Sequence, residues 1–128
     1  MTPLHYAANN QGGHVEAVRA LLVAGADLEA LEPAWHGTPL HMSAVVADHP
    51  EVAKALVDAG ANMEHRDTTG QTVLHTAAIA GAARVIEVLV AAGAKRDAED
   101  EDGHTPLQAA ELNGHIEAVK VLRAAACG

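Results

Sequence analysis

One seven-residue motif occurs four times, in slightly different forms, along a chain of 128 residues. Its copies begin at Thr2, Thr38, Thr72 and Thr105, and they read TPLHYAA, TPLHMSA, TVLHTAA and TPLQAAE. Consecutive copies start 36, 34 and 33 residues apart. Self-similarity at a period of roughly 20–50 residues is typical of stacked units, each of which completes its core against its neighbours. We expect a single domain over residues 1–128, with repeats at approximately 2–37, 38–71, 72–104 and 105–128.

Each unit has the pattern of two short helices followed by a polar connector. The threonine can cap the first helix because its hydroxyl accepts a hydrogen bond from an unpaired backbone N–H, and proline suits the first helical position. Apolar residues recurring at three and four predict second helices at about 15–24, 51–59, 84–92 and 116–125. In the last of these the inner stripe would be Ile116, Val119 and Leu122. The polar connectors span residues 27–37, 62–71 and 95–104.

Three further patterns accompany the threonine motif: paired alanines, Gly-His-x-Glu at Gly13 and Gly114, and Gly-Ala after the second helices. Together they resemble the ankyrin repeat family over nearly the whole chain. The resemblance implies an all-α solenoid of helix-turn-helix units, with β-hairpin finger loops formed by the connectors. It also implies that the motif histidines His5, His41 and His75 are structural, bonding to the backbone and to the nearby threonine cap.

Charge and composition limit the possible partners. The net charge of −9 argues against binding nucleic acid or an anionic membrane, both of which require clustered Lys and Arg. A protein partner, possibly a basic one, fits better. Cys127 is the single cysteine, so no intramolecular disulfide is possible. The chain shows neither a signal peptide nor an apolar run of about 20 residues, and we expect it to be cytoplasmic.

Nine histidines and the acidic stretch at 97–102 suggest metal binding. However, equivalent histidines in neighbouring repeats should lie roughly 10 Å apart, whereas zinc ligands lie about 2 Å from the ion. With Gly103 at the sixth position of an EF-hand loop, Ala98 and Ala109 would occupy its first and last ligand positions, so that motif is absent. No Ser or Cys nucleophile is paired with a His and an acid, and no phosphate-binding loop follows a strand. We therefore expect no cofactor, no metal and no enzymatic activity.

The resemblance implies a protein–protein interaction scaffold that binds through its concave face and its finger loops. Trp35 and Tyr6 are the single tryptophan and tyrosine, and both fall on this predicted surface. Trp35 could be a binding anchor or could simply pack against its own finger. The expected partner-binding residues are Tyr6, Asn10, Glu29, Trp35, His36, Met42, Val45, Met63, His65, Arg66, Thr76, Ile79, Asp97 and Glu99.

Two alternatives remain open at this stage. Neither end of the chain has the polar character of a capping repeat, so the chain could be a structural spacer fragment of a longer ankyrin array. Less expected is a metal-binding or catalytic protein that uses its histidine-rich surface. We expect a monomer, or weak self-association through the uncapped ends.

Overall fold

The computed structural model describes residues 3–8, 15–45 and 50–127, and these form eight helices. The helices are α1 (Pro3–Ala8), α2 (Val15–Val23), α3 (Pro39–Val45), α4 (Pro50–Asp58), α5 (Val73–Ala80), α6 (Ala83–Ala91), α7 (Pro106–Leu112) and α8 (Ile116–Cys127). Short and longer helices alternate, as the repeat pattern predicts. None of the helices in these ranges is long and apolar enough to cross a membrane.

In the second, third and fourth units the first helix begins directly after the motif threonine, as predicted. Thr105 has extended backbone (φ −81°, ψ 164°), and its hydroxyl accepts the Gln108 N–H while the Gln108 side chain accepts the Thr105 N–H. This reciprocal pair is a capping box. In the third unit the same exchange occurs between Thr72 and His75, so a histidine takes the position that glutamine holds in the fourth unit.

The helices form two parallel rows. α1, α3, α5 and α7 contact one another in sequence order to form an inner row, and α2, α4, α6 and α8 form an outer row in the same way. Each unit also joins its own two helices, for example α5 with α6 and α7 with α8. The predicted all-α solenoid is therefore confirmed.

Small and branched aliphatic side chains fill the space between the rows. Leu4, Leu40 and Leu74 of the inner row are each 1% exposed. The outer row contributes equally buried residues, among them Leu56 and Leu89. One part of the predicted pattern is wrong: Ile116 is 68% exposed. Leu122 is buried as predicted, and the buried stripe of α8 begins at Ala118, two residues later than expected.

The fingers are tight turns rather than two-stranded ribbons. No residue in the described ranges is in a β-strand. Each finger is closed by a backbone hydrogen bond: Glu32 N–H to Gly37 O at 2.9 Å, Asp67 N–H to Gln71 O at 3.0 Å, and Asp100 N–H to His104 O at 2.9 Å. The β-hairpins implied by the family resemblance are therefore not confirmed: within these ranges each finger contains a turn but no paired strands.

Candidate partner-binding surface

The motif histidine of the second unit joins the start of that unit to its end. His41 Nδ1 lies 3.0 Å from the Thr38 hydroxyl, and its Nε2 lies 3.2 Å from the carbonyl oxygen of Gln71. Because a carbonyl can only accept, Nε2 carries the proton and Nδ1 is the acceptor. His41 is 1% exposed. Both ring nitrogens therefore serve structure, which leaves neither available for a metal.

The equivalent histidines make equivalent contacts. His75 Nδ1 lies 3.0 Å from the Thr72 hydroxyl, and its Nε2 donates to the His104 carbonyl at 2.8 Å. His5 Nε2 lies 3.0 Å from the carbonyl oxygen of Gly37. The structural role implied by the resemblance is confirmed by these bonds, which position the fingers relative to the inner helices.

We expect the burial of His41 to make the folded state sensitive to acid. Desolvation lowers the pKa of His41 below 6.5, with a smaller contribution from His65; the Gln71 carbonyl and the Asp67 charge oppose this shift. Trp35, packed edge-on against the ring, adds no charge. As pH falls, the unfolded chain takes up this proton before the folded chain does. The contribution of His41 to stability is fully present well above the unfolded pKa of 6.5, and it is lost as the pH falls through the folded pKa.

We expect the free energy of unfolding to decrease between about pH 7.5 and pH 5.5, partly through His41. Urea titrations of the wild type and of His41→Gln at several pH values would measure this effect. Glutamine is a suitable replacement because Gln108 completes the same cap in the fourth unit. The decrease should be smaller in His41→Gln, and equal pH slopes in the two proteins would contradict the assignment.

Carboxylates connect neighbouring fingers. Glu29 Oε2 accepts the Asn62 N–H at 3.0 Å, and Glu64 Oε2 accepts the Lys95 N–H at 3.0 Å, two contacts that repeat one unit apart. Glu29 was predicted as a partner contact. The structure gives its carboxylate a role in holding the first and second fingers together.

Two other predicted contact residues also join the fingers. His65 Nε2 lies 3.0 Å from the His36 carbonyl oxygen. Arg66 Nη1 donates to the carbonyl oxygens of Gly70 and Glu99, and so connects the second finger to the third. His36 itself adopts a φ of 58°, an uncommon conformation for a residue other than glycine. The fingers thus form one continuous, hydrogen-bonded surface.

Trp35 packs against its own finger and also borders open space. Its indole covers Gly37, where an added Cβ would overlap the six-membered ring. The ring also meets His41 edge to face, with 5.8 Å between ring centroids. Trp35 nevertheless remains partly exposed. The packing of Trp35 against its own finger is therefore confirmed, and its role as a binding anchor stays a prediction.

The exposed side of Trp35 forms one wall of a groove between the fingers and α5. The groove has a volume of about 440 Å³. Of the predicted contact residues, it brings together Trp35, Thr76 and Ile79, although Thr76 is only 7% exposed. Asp67 and Gln71 also line this groove. Gln71 was not predicted to belong to the surface, and the turn-forming sequence Asp67 to Gly70 is the signal that could have indicated it.

The other predicted contact residues lie elsewhere. Met42 is 6% exposed and belongs to the core, because its position in α3 faces the neighbouring helices; we therefore remove it from the surface. Met63 is half-buried, while Asp97 and Glu99 are exposed on the third finger. Asn10 and the side chains of Tyr6 and Val45 lie outside the described part of the structure.

A histidine from the last unit positions the α5 end of the groove. His115 Nε2 lies 2.9 Å from the carbonyl oxygen of Ile79. Its ring covers Gly81, where an added Cβ would approach within 2.6 Å of the imidazole. Gly81 also has a φ of 75°, which disfavours other residues. The repeated Gly-His-x-Glu pattern was the sequence signal for this contact.

Negative charge is concentrated in the fingers. Ten of the 17 acidic residues, but only three of the eight basic ones, occur at 27–37, 62–71 and 95–104. Within the described ranges, all four ion pairs instead join residues of the helices. The finger carboxylates described by the structure are therefore not neutralised by ion pairing, and they create a negative field around the groove.

A cluster in the third finger has the donors for a cation. One ligand atom each from Asp100, Asp102 and His104 lie within 4.8 Å of one another. Asp100 Oδ1 accepts the backbone N–H groups of Asp102 and His104 at 2.9 and 3.0 Å. Desolvation raises the pKa of Asp100. These two hydrogen bonds and the nearby histidines lower the pKa by more, so that it lies below its ordinary value of 3.8. Asp67 makes the same turn in the second finger, so turn formation accounts for this geometry.

The two rows of helices, the threonine caps and the linked fingers define an ankyrin repeat domain. The family model described as ankyrin repeats (3 copies) matches residues 1–67 and 40–127. The chain therefore belongs to the ankyrin repeat family. Ankyrin repeats generally act as protein–protein interaction modules.

The chain is similar to short segments of several larger proteins. The Neurogenic locus Notch protein of Drosophila melanogaster is 39% identical over 72 residues, which is 56% of this chain and 3% of that protein. Human SH3 and multiple ankyrin repeat domains protein 2 is 39% identical over 66 residues, 52% of this chain and 4% of that protein. NF-kappa-B inhibitor alpha of Sus scrofa is 52% identical over 40 residues, 31% of this chain and 12% of that protein. The chain thus spans only a small part of each relative.

Proposed function

We propose that this protein is a non-enzymatic, cytoplasmic scaffold that binds a basic protein partner through its groove and fingers. The excess of ten acidic over three basic residues in the fingers supports a basic partner. The groove beside Trp35 supplies an apolar contact within this acidic surface. The name NF-kappa-B inhibitor alpha describes a relative that acts on another protein, which agrees with a binding role.

Rigid presentation of the surface would be the physical basis of binding. The Glu29 and Glu64 carboxylates each hold the next finger in place, and the bond from Arg66 to the Glu99 carbonyl oxygen adds a third connection. A surface that is ordered before association loses less conformational entropy on binding than a flexible one. The scaffold would therefore contribute affinity through preorganisation, while its charge would accelerate encounter with the partner.

A second groove is a less suitable site. It lies against the outer helices, has a volume of about 500 Å³, and is lined by residues that include Lys54, Arg84 and Glu87. Charges of both signs meet there, and Lys54 is already paired with Asp58 at 3.3 Å. The groove beside Trp35 combines an aromatic wall with charge of one sign, which favours it as the partner site.

Replacing Ile79 by lysine should weaken partner binding at least about tenfold, as expected for a contact near the centre of an interface. The change removes apolar surface from the groove and adds a charge that repels a basic partner. Captured proteins would be identified by mass spectrometry, and their affinities would be measured by calorimetry at low and high salt. Binding should weaken as salt increases.

Val23→Lys is the matched control, because Val23 is 89% exposed on α2 and is not part of the groove. Circular dichroism would verify that both variants fold. Retention of binding by Val23→Lys and its loss in Ile79→Lys would support the proposal. Equal binding by the two variants, or a partner that is acidic, would contradict it.

A further inference from the structure

The geometry points to a specific anchor for the partner: an arginine side chain that enters the groove, stacks on Trp35 and pairs with Asp67. This inference rests on the proposed function and specifies the chemistry of its binding site. Three features of the groove carry it: a fixed aromatic ring, a carboxylate oxygen without a partner among the described residues, and an apolar lining between them.

The indole of Trp35 is held in place before any ligand arrives. The backbone N–H of Trp35 donates to Glu32 Oε2 at 3.0 Å, and the backbone carbonyl oxygen of Trp35 accepts the Thr68 N–H at 3.0 Å, so the backbone that carries the ring is fixed. Gly37 and His41 support the ring itself. Tryptophan is the aromatic residue that attracts cations most strongly, through its negative ring face. A cation that enters the groove would therefore meet an aromatic surface that needs no rearrangement.

Asp67 has one carboxylate oxygen that is already used and one that is not. Oδ1 accepts the Thr69 N–H at 2.9 Å, the Thr69 hydroxyl at 2.7 Å and the Gln71 N–H at 3.0 Å. Among the described residues no hydrogen bond reaches Oδ2, and no cation forms an ion pair with Asp67. Arg66, the adjacent cation, is held on the carbonyl oxygens of residues 70 and 99. Asp67 therefore lines the groove without an ion-pair partner among the described residues.

The lining of the groove suits the aliphatic part of a long cationic side chain. Ile79 and Ala80 of α5 lie in the same groove as Trp35 and Asp67. Lysine and arginine place their methylene groups on such surfaces while their charged ends reach a polar group. Arginine fits better, because its planar guanidinium stacks on an aromatic ring and still donates in-plane hydrogen bonds to a carboxylate.

The combination of a tryptophan ring with a turn-forming aspartate occurs once among the fingers. Asp100 makes the same turn in the third finger as Asp67 makes in the second, with Oδ1 accepting two backbone N–H groups. Trp35 is the single tryptophan, and the third finger contains no aromatic residue of the Phe, Tyr or Trp type. The third finger therefore provides the negative charge and the turn without the stacking surface, which makes it an internal control.

The test uses two capped tripeptides, Ac-Ala-Arg-Ala-NH₂ and its citrulline counterpart, which has nearly the same shape but no charge. The indole N–H signal of Trp35 in ¹H–¹⁵N spectra reports on binding without ambiguity, because the chain has one tryptophan. Titrations would be made with the wild type, Asp67→Asn and Asp100→Asn. Asparagine keeps the side-chain oxygen that forms each turn, so both variants should remain folded.

For the wild type we expect the arginine peptide to bind at least about fivefold more tightly than the citrulline peptide, as a combined cation–π and ion-pair contact implies. Asp67→Asn should remove most of this preference, and Asp100→Asn should retain it. Equal binding of the two peptides, no movement of the indole signal, or equal effects of the two variants would each overturn the arginine assignment.

Failure of this inference would be distinguishable from failure of the proposed function. A partner that is captured by the wild type and lost in Ile79→Lys, in the absence of any arginine preference, would retain the scaffold role and reject the anchor. Arginine binding together with unchanged partner capture by Ile79→Lys would reject this groove as the partner surface.

Discussion

Leu74→Ala should lower the free energy of unfolding by about 2–5 kcal/mol, the range for removing a fully buried leucine side chain. Leu74 is 1% exposed in α5, which packs between α3 and α7. Truncation would therefore leave a cavity shared by three units, and partial collapse of one helix could not fill it. Urea denaturation followed by circular dichroism would measure the change, and Leu40→Ala should behave in the same way.

Leu112→Ala is the control for this experiment, because Leu112 is 68% exposed on α7. It should change the free energy of unfolding by no more than about 0.5 kcal/mol. Similar denaturation midpoints for Leu74→Ala, Leu112→Ala and the wild type would show that the inner helices are packed in a different register.

His75→Ala should also be strongly destabilising, by at least about 2 kcal/mol. The ring is fully buried and serves both Thr72 and the carbonyl oxygen of His104. Its removal leaves the Thr72 N–H and that carbonyl without their partner, and a buried polar group that loses its hydrogen bond costs about 1–3 kcal/mol. Denaturant titrations at pH 7.5 would measure the loss.

His75→Gln separates the two functions of the ring. In the fourth unit Gln108 caps Thr105 at 2.9 Å, so glutamine at 75 should keep the cap and lose only the bond to residue 104. We expect a cost of about 1 kcal/mol, the net value of one hydrogen bond. If His75→Gln were as destabilising as His75→Ala, the cap would not contribute and the finger bond would account for the whole effect.

The positions of the helices could be predicted because they depend on short-range signals. Threonine, proline and glycine mark the ends, and apolar spacing marks the inner faces. α4 and α6 begin and end within one residue of the predicted bounds, at Pro50–Asp58 and Ala83–Ala91. The histidine contacts were also implied correctly, although through the family resemblance rather than through spacing.

The surface was harder to predict, because its contacts connect residues roughly 30 positions apart and often end on backbone atoms. Nothing in the sequence around Glu29 indicates that its carboxylate accepts a bond from the N–H of Asn62. Met42 illustrates a second difficulty. The position after the motif histidine varies among the units, and this variation was interpreted as exposure, whereas Met42 is buried between helices. Variability at a position reports neither burial nor function by itself.

The histidine contacts also bear on how units of unequal length can stack. The histidine and its acceptor are separated by 32 residues for His5 and Gly37, by 30 for His41 and Gln71, and by 29 for His75 and His104. The chain between them changes in length, yet the two ends meet through the same bond. Alignment of the units is thus set by a side-chain contact at their junctions and not by residue count. Insertions between the junctions can accumulate in loops without displacing the helices on either side.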